Sequence, residues 1–266
     1  MPTKAIDIPE HFCSVCSWVD PENTVDRVII GDPEKLINTA LVTWISGAAQ
    51  IREAINRGVD LLVTHEPTFY RHRDDYKGVG DTLAEEKARM IEDASLVVIR
   101  IHDSWDRFPQ IGIPHAWAGF LGIGSEPNAT AADGYIHAYD IAPVSAGELA
   151  SRFAARTAQI GEPSIEFSGN GSRIVERVGI GTGCMCNPSD YWNLGCDFAV
   201  VCDDGINYWD NIQRCLDSDM PVVCVNHGVS EEPGMITLTG YLNTVFSEVT
   251  FTHLPHPCMY QSVTAA

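Results

Sequence analysis

Three places in this 266-residue chain set a histidine beside carboxylates directly after an apolar run. Leu61 to Thr64 leads into His65 and Glu66. Ser95 to Ile101 leads into His102, Asp103 and Asp106. Pro221 to Val225 leads into His227 and Glu231. Imidazole nitrogens combined with carboxylate oxygens suit zinc, iron or manganese, and a larger carboxylate share moves the preference toward harder ions. His102 and Asp106 are four residues apart, as are His227 and Glu231. One helical turn brings such a pair to one face. Taken singly, each histidine reads as a hydrogen-bonded strand end, and Glu231 and Glu232 read as first-turn carboxylates favoured by the helix dipole. Three strand ends carrying the same chemistry argue instead for a shared metal-binding role.

The elements that must position these groups alternate in type. Thr39 to Ile45 is rich in β-branched and aromatic residues and predicts a strand. Ser46 is placed to cap the helix that follows, whose stripe is Ala49, Ile51, Ala54 and Ile55 and whose end is Gly58. The apolar run Leu61 to Val63 is the next strand, buried on both faces, and Pro67 ends it. Strand, helix and strand in this order form a βαβ unit with parallel pairing and a right-handed crossover. In open parallel sheets, ligands bind at the carboxyl ends of the strands, where His65 and Glu66 fall. Val25 to Ile30 carries a weak strand signal ending at the turn Gly31-Asp32-Pro33. Thr82 to Ala94 and Pro114 to Leu121 predict helices, and residues 1–25 a capping segment.

In the later half, Gly134 to Ile141, Ile174 to Ile180 and Phe198 to Cys202 predict strands. Ser145 and Glu148 make a capping box for a helix to Ala158. Gly179 to Gly183 departs from a phosphate-binding glycine pattern and reads as a tight turn; Asp203 and Asp204 also read as turn residues. Ile206 to Leu216 predicts a helix, as do Met235, Leu238, Leu242 and Val245 beyond Pro233. Ser247 to Thr252 predicts a last strand. The fold expected is α/β, with two packed lobes of mixed, largely parallel sheets. The first part spans residues 1–127 and the second 128–266, divided in the Ala-, Thr- and Asn-rich stretch near Asn128 to Asp133, together making one structural unit.

Composition narrows the function classes. Seventeen Lys and Arg against 36 Asp and Glu give a net charge of −19. Such a surface repels nucleic acid and anionic membranes, so neither is an expected partner. It does not exclude an anionic small-molecule substrate, because bound metal inverts the local field. No apolar run approaches the roughly 20 residues that span a bilayer, and the first ten residues lack the apolar core of a secretory signal. Nine cysteines, an odd number, fit a reducing cytoplasm. Cys13/Cys16 and Cys184/Cys186 lack the usual structural-zinc spacing and are read as thiols at least partly buried.

The stretch Thr64-His65-Glu66-Pro67-Thr68-Phe69-Tyr70, with Gly31-Asp32-Pro33, resembles the Nif-three-like dinuclear-metal family, often labelled GTP cyclohydrolase I type 2. The family's H-x-x-x-D element matches His102 to Asp106, and its late H-x-x-x-E element matches His227 to Glu231. The resemblance runs from about Val25 to Thr252. It implies two α/β lobes with two divalent metal ions (zinc, iron or manganese) between them. The ligands it implies are His65, Asp106, His227 and Glu231, with Asp106 and Glu231 as bridging carboxylates; Glu66 and His102 fall at motif positions and complete the candidate metal set, His102 either as a ligand or as a support for one. It further implies a toroidal homo-hexamer and a metal-dependent hydrolase acting on a nucleotide or phosphoester. A non-catalytic metal-binding scaffold explains the same ligands. Glu66 departs from the histidine more common at its position, which bears on the second metal's identity and affinity.

Overall fold

A computed structural model describes residues 2–263 of the chain. From the amino terminus the elements are α1 (Asp7–Val15), β1 (Arg27–Ile30), β2 (Thr39–Ile45), α2 (Ala48–Arg57), β3 (Leu61–Glu66), α3 (Thr82–Asp93) and β4 (Val97–Arg100). They continue as α4 (Ile113–Leu121), β5 (Ala129–Ala131), β6 (Ile136–Ser145), α5 (Ala146–Thr157), β7 (Glu166–Ser168), β8 (Ile174–Ile180), α6 (Pro188–Asn193) and β9 (Phe198–Cys202). The last are α7 (Gln213–Asp217), β10 (Val222–Val225), α8 (His227–Val245) and β11 (Thr250–His253). The chain divides into two compact units, residues 1–108 with 235–256, and residues 109–234 with 257–266. The sequence reading put the division at 127/128. The earlier break follows from α4, whose Trp117, Ala118 and Leu121 are buried in the core of the second unit.

The first unit holds a five-stranded sheet in the order β1-β4-β3-β2-β11. β11, β2, β3 and β4 are parallel, and β1 runs antiparallel on β4. β3 is central and buried along Leu61 to His65, as its unbroken apolar run demands. Leu41, Ile51, Leu62, Phe69, Ile91 and Val98 share one core under α2 and α3. Gly58 ends α2 in the left-handed region at φ 63°. Gly31 has φ 101°, and a Cβ there would meet the Leu96 carbonyl oxygen at 2.8 Å, so the Gly31-Asp32-Pro33 turn requires glycine. Ser46 does not cap α2, because Gly47 holds the N-cap position. The Ser46 hydroxyl instead donates to Thr68 Oγ1 at 2.7 Å, tying the end of β2 to the turn after β3.

The second unit holds a six-stranded sheet in the order β5-β6-β8-β9-β10-β7. β8, β9 and β10 are parallel; the remaining pairs are antiparallel. Its core includes Ile136, Phe153, Val178, Phe198, Val200 and Val223. Ser145 accepts the Glu148 N–H at the start of α5, the serine half of the expected capping box, while Glu148 Oε1 pairs with Arg152. Two helix expectations are corrected. The expected Ile206 to Leu216 helix begins as a single turn of π-helix, Tyr208–Ile212, and only Gln213–Asp217 is α-helical. α8 begins at His227 rather than beyond Pro233, and runs through that proline. The missing N–H costs one hydrogen bond near the helix start, which burial of Val229, Met235, Leu238 and Leu242 offsets. Among the described residues, no helix is long and apolar enough to cross a membrane.

Candidate metal centre

Register decides where the first set of ligands converges. β3 and β4 are parallel with Thr64 opposite Arg100, the last residue of β4. The final residues of β3, His65 and Glu66, therefore lie level with the turn His102 to Asp106 that follows β4. His65 is fully buried. Its Nδ1 lies 3.0 Å from the Ile101 carbonyl oxygen. A carbonyl only accepts, so Nδ1 carries the proton and Nε2 presents its lone pair. Nε2 lies 3.2 Å from Asp106 Oδ1. His102 stacks on His65 with ring centroids 4.6 Å apart. His65, His102 and Asp106 each bring one donor atom within 4.8 Å of the others. Glu66 Oε1 is 3.9 Å from His102 Nε2.

The turn bearing His102 and Asp106 is closed by the Asp106 N–H on the His102 carbonyl at 3.0 Å. Three groups hold it. Buried Asp26 accepts the backbone N–H of His102 (2.6 Å), Asp103 (2.9 Å) and Ser104 (2.9 Å). Trp105 is fully buried against Phe12, Phe108 and Tyr241, so it belongs to the core. Asp103 accepts from His102 Nδ1 at 3.0 Å, and from the Thr24 hydroxyl and the Val25 N–H. Burial raises the Asp103 pKa, but the His102 and Thr24 hydrogen bonds outweigh it and hold the carboxyl well below its usual range. Asp103 therefore orients His102. For His102, burial disfavours the charged ring, yet Asp106 and Asp103 together raise its pKa to about 9. The histidine sits in a field that attracts cations.

The second unit repeats the device. β9 and β10 are parallel with Cys202 opposite Val225. Asp203 and Asp204 therefore emerge beside Asn226 and His227. Asp203 accepts the His227 N–H at 2.8 Å and the Asn226 side-chain amide at 3.0 Å. Asp204 Oδ2 lies 2.8 Å from His227 Nδ1. This carboxylate fixes the tautomer that leaves the Nε2 lone pair outward. One turn along α8, buried Glu231 sets Oε1 3.0 Å from His227 Nε2. Gly183 adjoins both donors. A Cβ there would lie 3.2 Å from His227 Nε2 and 3.3 Å from Glu231 Oε1. Glycine keeps the space beside the pair open, a function beyond the turn expected of it.

These donor sets fit a metal ion. In each unit a histidine nitrogen with its lone pair outward faces a carboxylate oxygen. Two acceptors at that range repel unless a proton or a cation lies with them. Metal–ligand bonds of about 2.0–2.2 Å put neighbouring donors on one ion roughly 3–3.5 Å apart, which brackets the 3.0 and 3.2 Å found here. The six sequence-predicted residues thus fall into two groups, His65, Glu66, His102 and Asp106 in one unit and His227 and Glu231 in the other. Sequence reasoning missed Asp26 and Arg100, and took Gly183, Asp203 and Asp204 for turn residues. Their spacing carries no signal, because each reaches its partner through tertiary contact.

Known proteins share this fold. A solved structure titled as protein ybgI of unknown function has a TM-score of 0.78 at 18% identity, covering 96% of this chain and 100% of that one. A Bacillus cereus protein related to NIF3 has a TM-score of 0.79 at 12% identity, covering 99% and 100%. Reduced HcgD from Methanocaldococcus jannaschii has a TM-score of 0.72 at 16% identity, covering 96% and 98%. At such identities the likeness speaks for the fold alone. No curated protein matches the sequence. The family described as Duf34/NIF3 (NGG1p interacting factor 3) matches residues 24–257, from just before β1 to just beyond β11. With its α/β fold and its strand-end histidines and carboxylates, the chain belongs to the Duf34/NIF3 family.

Proposed function

We propose that this chain is a dinuclear metal-binding protein that works as a metal-dependent hydrolase on a nucleotide or phosphoester-type small molecule, with a GTP cyclohydrolase type 2-like reaction as the first to try. His65, Glu66, His102 and Asp106 supply ligands from one unit, and His227 and Glu231 from the other. The observation that carries the metal reading is the doubled arrangement of a histidine whose Nδ1 is tied down while Nε2 faces a carboxylate about 3 Å away. When bound, divalent zinc, iron or manganese ions supply Lewis acidity and bring water into reach as a nucleophile near neutral pH. The chain's own groups orient and hold. Asp103 and Asp204 fix two imidazoles, Asp26 fixes the loop, and Gly183 keeps space clear. The resemblance to a dinuclear family supports the count of two ions and a hexameric assembly, which light scattering at physiological salt tests.

Elemental analysis of protein prepared without chelator tests the metal. One or two transition-metal ions per chain are expected, falling in His65→Ala and His227→Ala. Wild type that neither carries nor takes up zinc, manganese or iron would end this reading. The loaded protein is then screened against nucleotides and phosphoesters, with His65→Ala as control. Turnover that disappears in the control supports the hydrolase. A full metal load with no turnover of any compound makes the chain a metal-bound scaffold.

A further inference from the structure

Arg100 is the last residue of β4 and is fully buried. A guanidinium cannot shed its proton in a protein, so burial obliges it to find carboxylates and carbonyls. Its Nε donates to the His65 carbonyl oxygen at 2.7 Å, and its Nη1 to the His72 carbonyl oxygen at 2.5 Å. Its Nη2 donates to Glu66 Oε2 at 3.4 Å. The next carboxylate, buried Asp74, stands 3.8 Å from Nη1. Glu66 is thus the nearer counter-charge. The two oxygens of Glu66 are divided: Oε2 turns to Arg100, while Oε1 lies on the side of His102 Nε2, 3.9 Å away.

We infer that Glu66 and Arg100 act as one unit, in which Arg100 orients the Glu66 carboxylate and balances its charge so that the other oxygen serves as a metal ligand and sets which metal the site prefers. The inference rests on the metal-binding reading. A carboxylate brings a negative charge to a cluster that already holds Asp103 and Asp106. Imidazole in place of the Glu66 carboxylate would bring none, and would leave the buried guanidinium without its nearest anion. With both residues present, the Glu66 carboxylate joins Asp106 as an anionic donor while the buried guanidinium keeps its nearest counter-charge. Arg100 is a positioning residue on this account, since its side chain acts on the ion through Glu66 and through the His65 carbonyl it also holds. The anionic oxygen tilts the site toward manganese relative to zinc.

Two measurements decide it. The first uses metal-free protein. Glu66→Gln strips Arg100 of its closer counter-charge and should lower the thermal midpoint by several degrees. Were Glu66 only a ligand crowded among acids, its neutralisation would relieve repulsion, and an unchanged or raised midpoint overturns the pairing. The second is a cycle of Glu66→Gln, Arg100→Gln and the double variant, with zinc and manganese affinities read by chelator competition. Arg100→Gln should weaken manganese binding about tenfold or more with Glu66 present and clearly less when Glu66→Gln is already in place, where only its hold on the His65 carbonyl is lost. Arg100→Lys, which keeps the charge, should recover part of the loss and serves if Arg100→Gln does not fold. Equal effects of the arginine change in both backgrounds would make Arg100 a backbone clamp alone and overturn the inference, while wild-type metal binding kept the function reading intact. Wild type without metal affinity would sink both, and the metal-free midpoint would still report on the ion pair.

Discussion

Asp26 and His102 stand 76 positions apart in sequence, and the His102 N–H meets Asp26 Oδ1 at 2.6 Å. The same carboxylate holds the two following N–H groups. An aspartate just before β1 thereby organises the turn that bears two candidate ligands after β4, satisfying one buried N–H at Ser104 and two part-buried ones at His102 and Asp103.

Asp26→Ala should therefore cost more than an ordinary buried substitution. Leaving a buried donor unsatisfied costs about 1–3 kcal/mol, so loss of the buried Ser104 partner and the two part-buried ones should show in chemical denaturation as a loss of about 2 kcal/mol or more in metal-free protein. Asp26→Asn should be milder, because its remaining oxygen can still accept from His102 and Asp103, the two partners of Oδ1. Equal losses in the two variants would count against this role.

Asp204 offers a cleaner separation of binding from stability. Its side chain is 70% exposed, yet it holds His227 Nδ1. Asp204→Ala should weaken metal binding roughly 10–100-fold, the usual cost of losing a histidine's orienting carboxylate. The metal-free protein should unfold at an unchanged denaturant midpoint. Unaltered affinity in a chelator competition would remove Asp204 from the centre.

Gly183→Ala adds a single carbon at a residue with φ 54°, within 3.3 Å of both His227 Nε2 and Glu231 Oε1. Metal affinity should fall by at least tenfold, and His227→Ala in the same background should add little further loss. Additive losses would place Gly183 outside the donor pair's surroundings.

Two buried groups of the second unit should oppose each other as pH changes. Burial and the charge of His115 lower the His137 pKa to about 4. The unfolded chain then binds a proton that the folded chain does not, so this group's stability contribution falls as pH drops from about 6.5 to about 4. Burial raises the Glu162 pKa to about 7, against the pull of the Asn226 N–H and with help from Asp203 and Glu166. Here the folded state holds the extra proton. Its contribution is complete below about 4.5 and is lost as pH rises through about 7. Each effect is worth about 3 kcal/mol at most. Glu162→Gln should make stability rise more steeply with pH between about 4.5 and 7 than in wild type, and His137→Gln should make it rise less steeply between about 4 and 6.5. Urea unfolding across this range checks both slopes; parallel profiles for all three proteins would refute the assignment.

By itself the sequence determined the strand ends. Largely apolar runs stop at Thr64, Ile101 and Val225, and a histidine follows each within two residues, because a strand buried on both faces takes ionisable groups mainly at its end, where Arg100 also falls. It also determined the pairs four residues apart, since one turn of backbone suffices to bring His227 onto Glu231 and His102 onto Asp106. Tertiary structure alone decided how these groups are held. Parallel register set Thr64 beside Arg100 and Cys202 beside Val225, and that alignment gave His227 its orienting carboxylate and Glu66 its buried arginine. Such partners satisfy charge and hydrogen-bonding demands between distant parts of the chain, and no local period or spacing encodes contacts of that range. The same holds for Pro233, which a local rule places before a helix and which burial of the surrounding apolar residues keeps inside one.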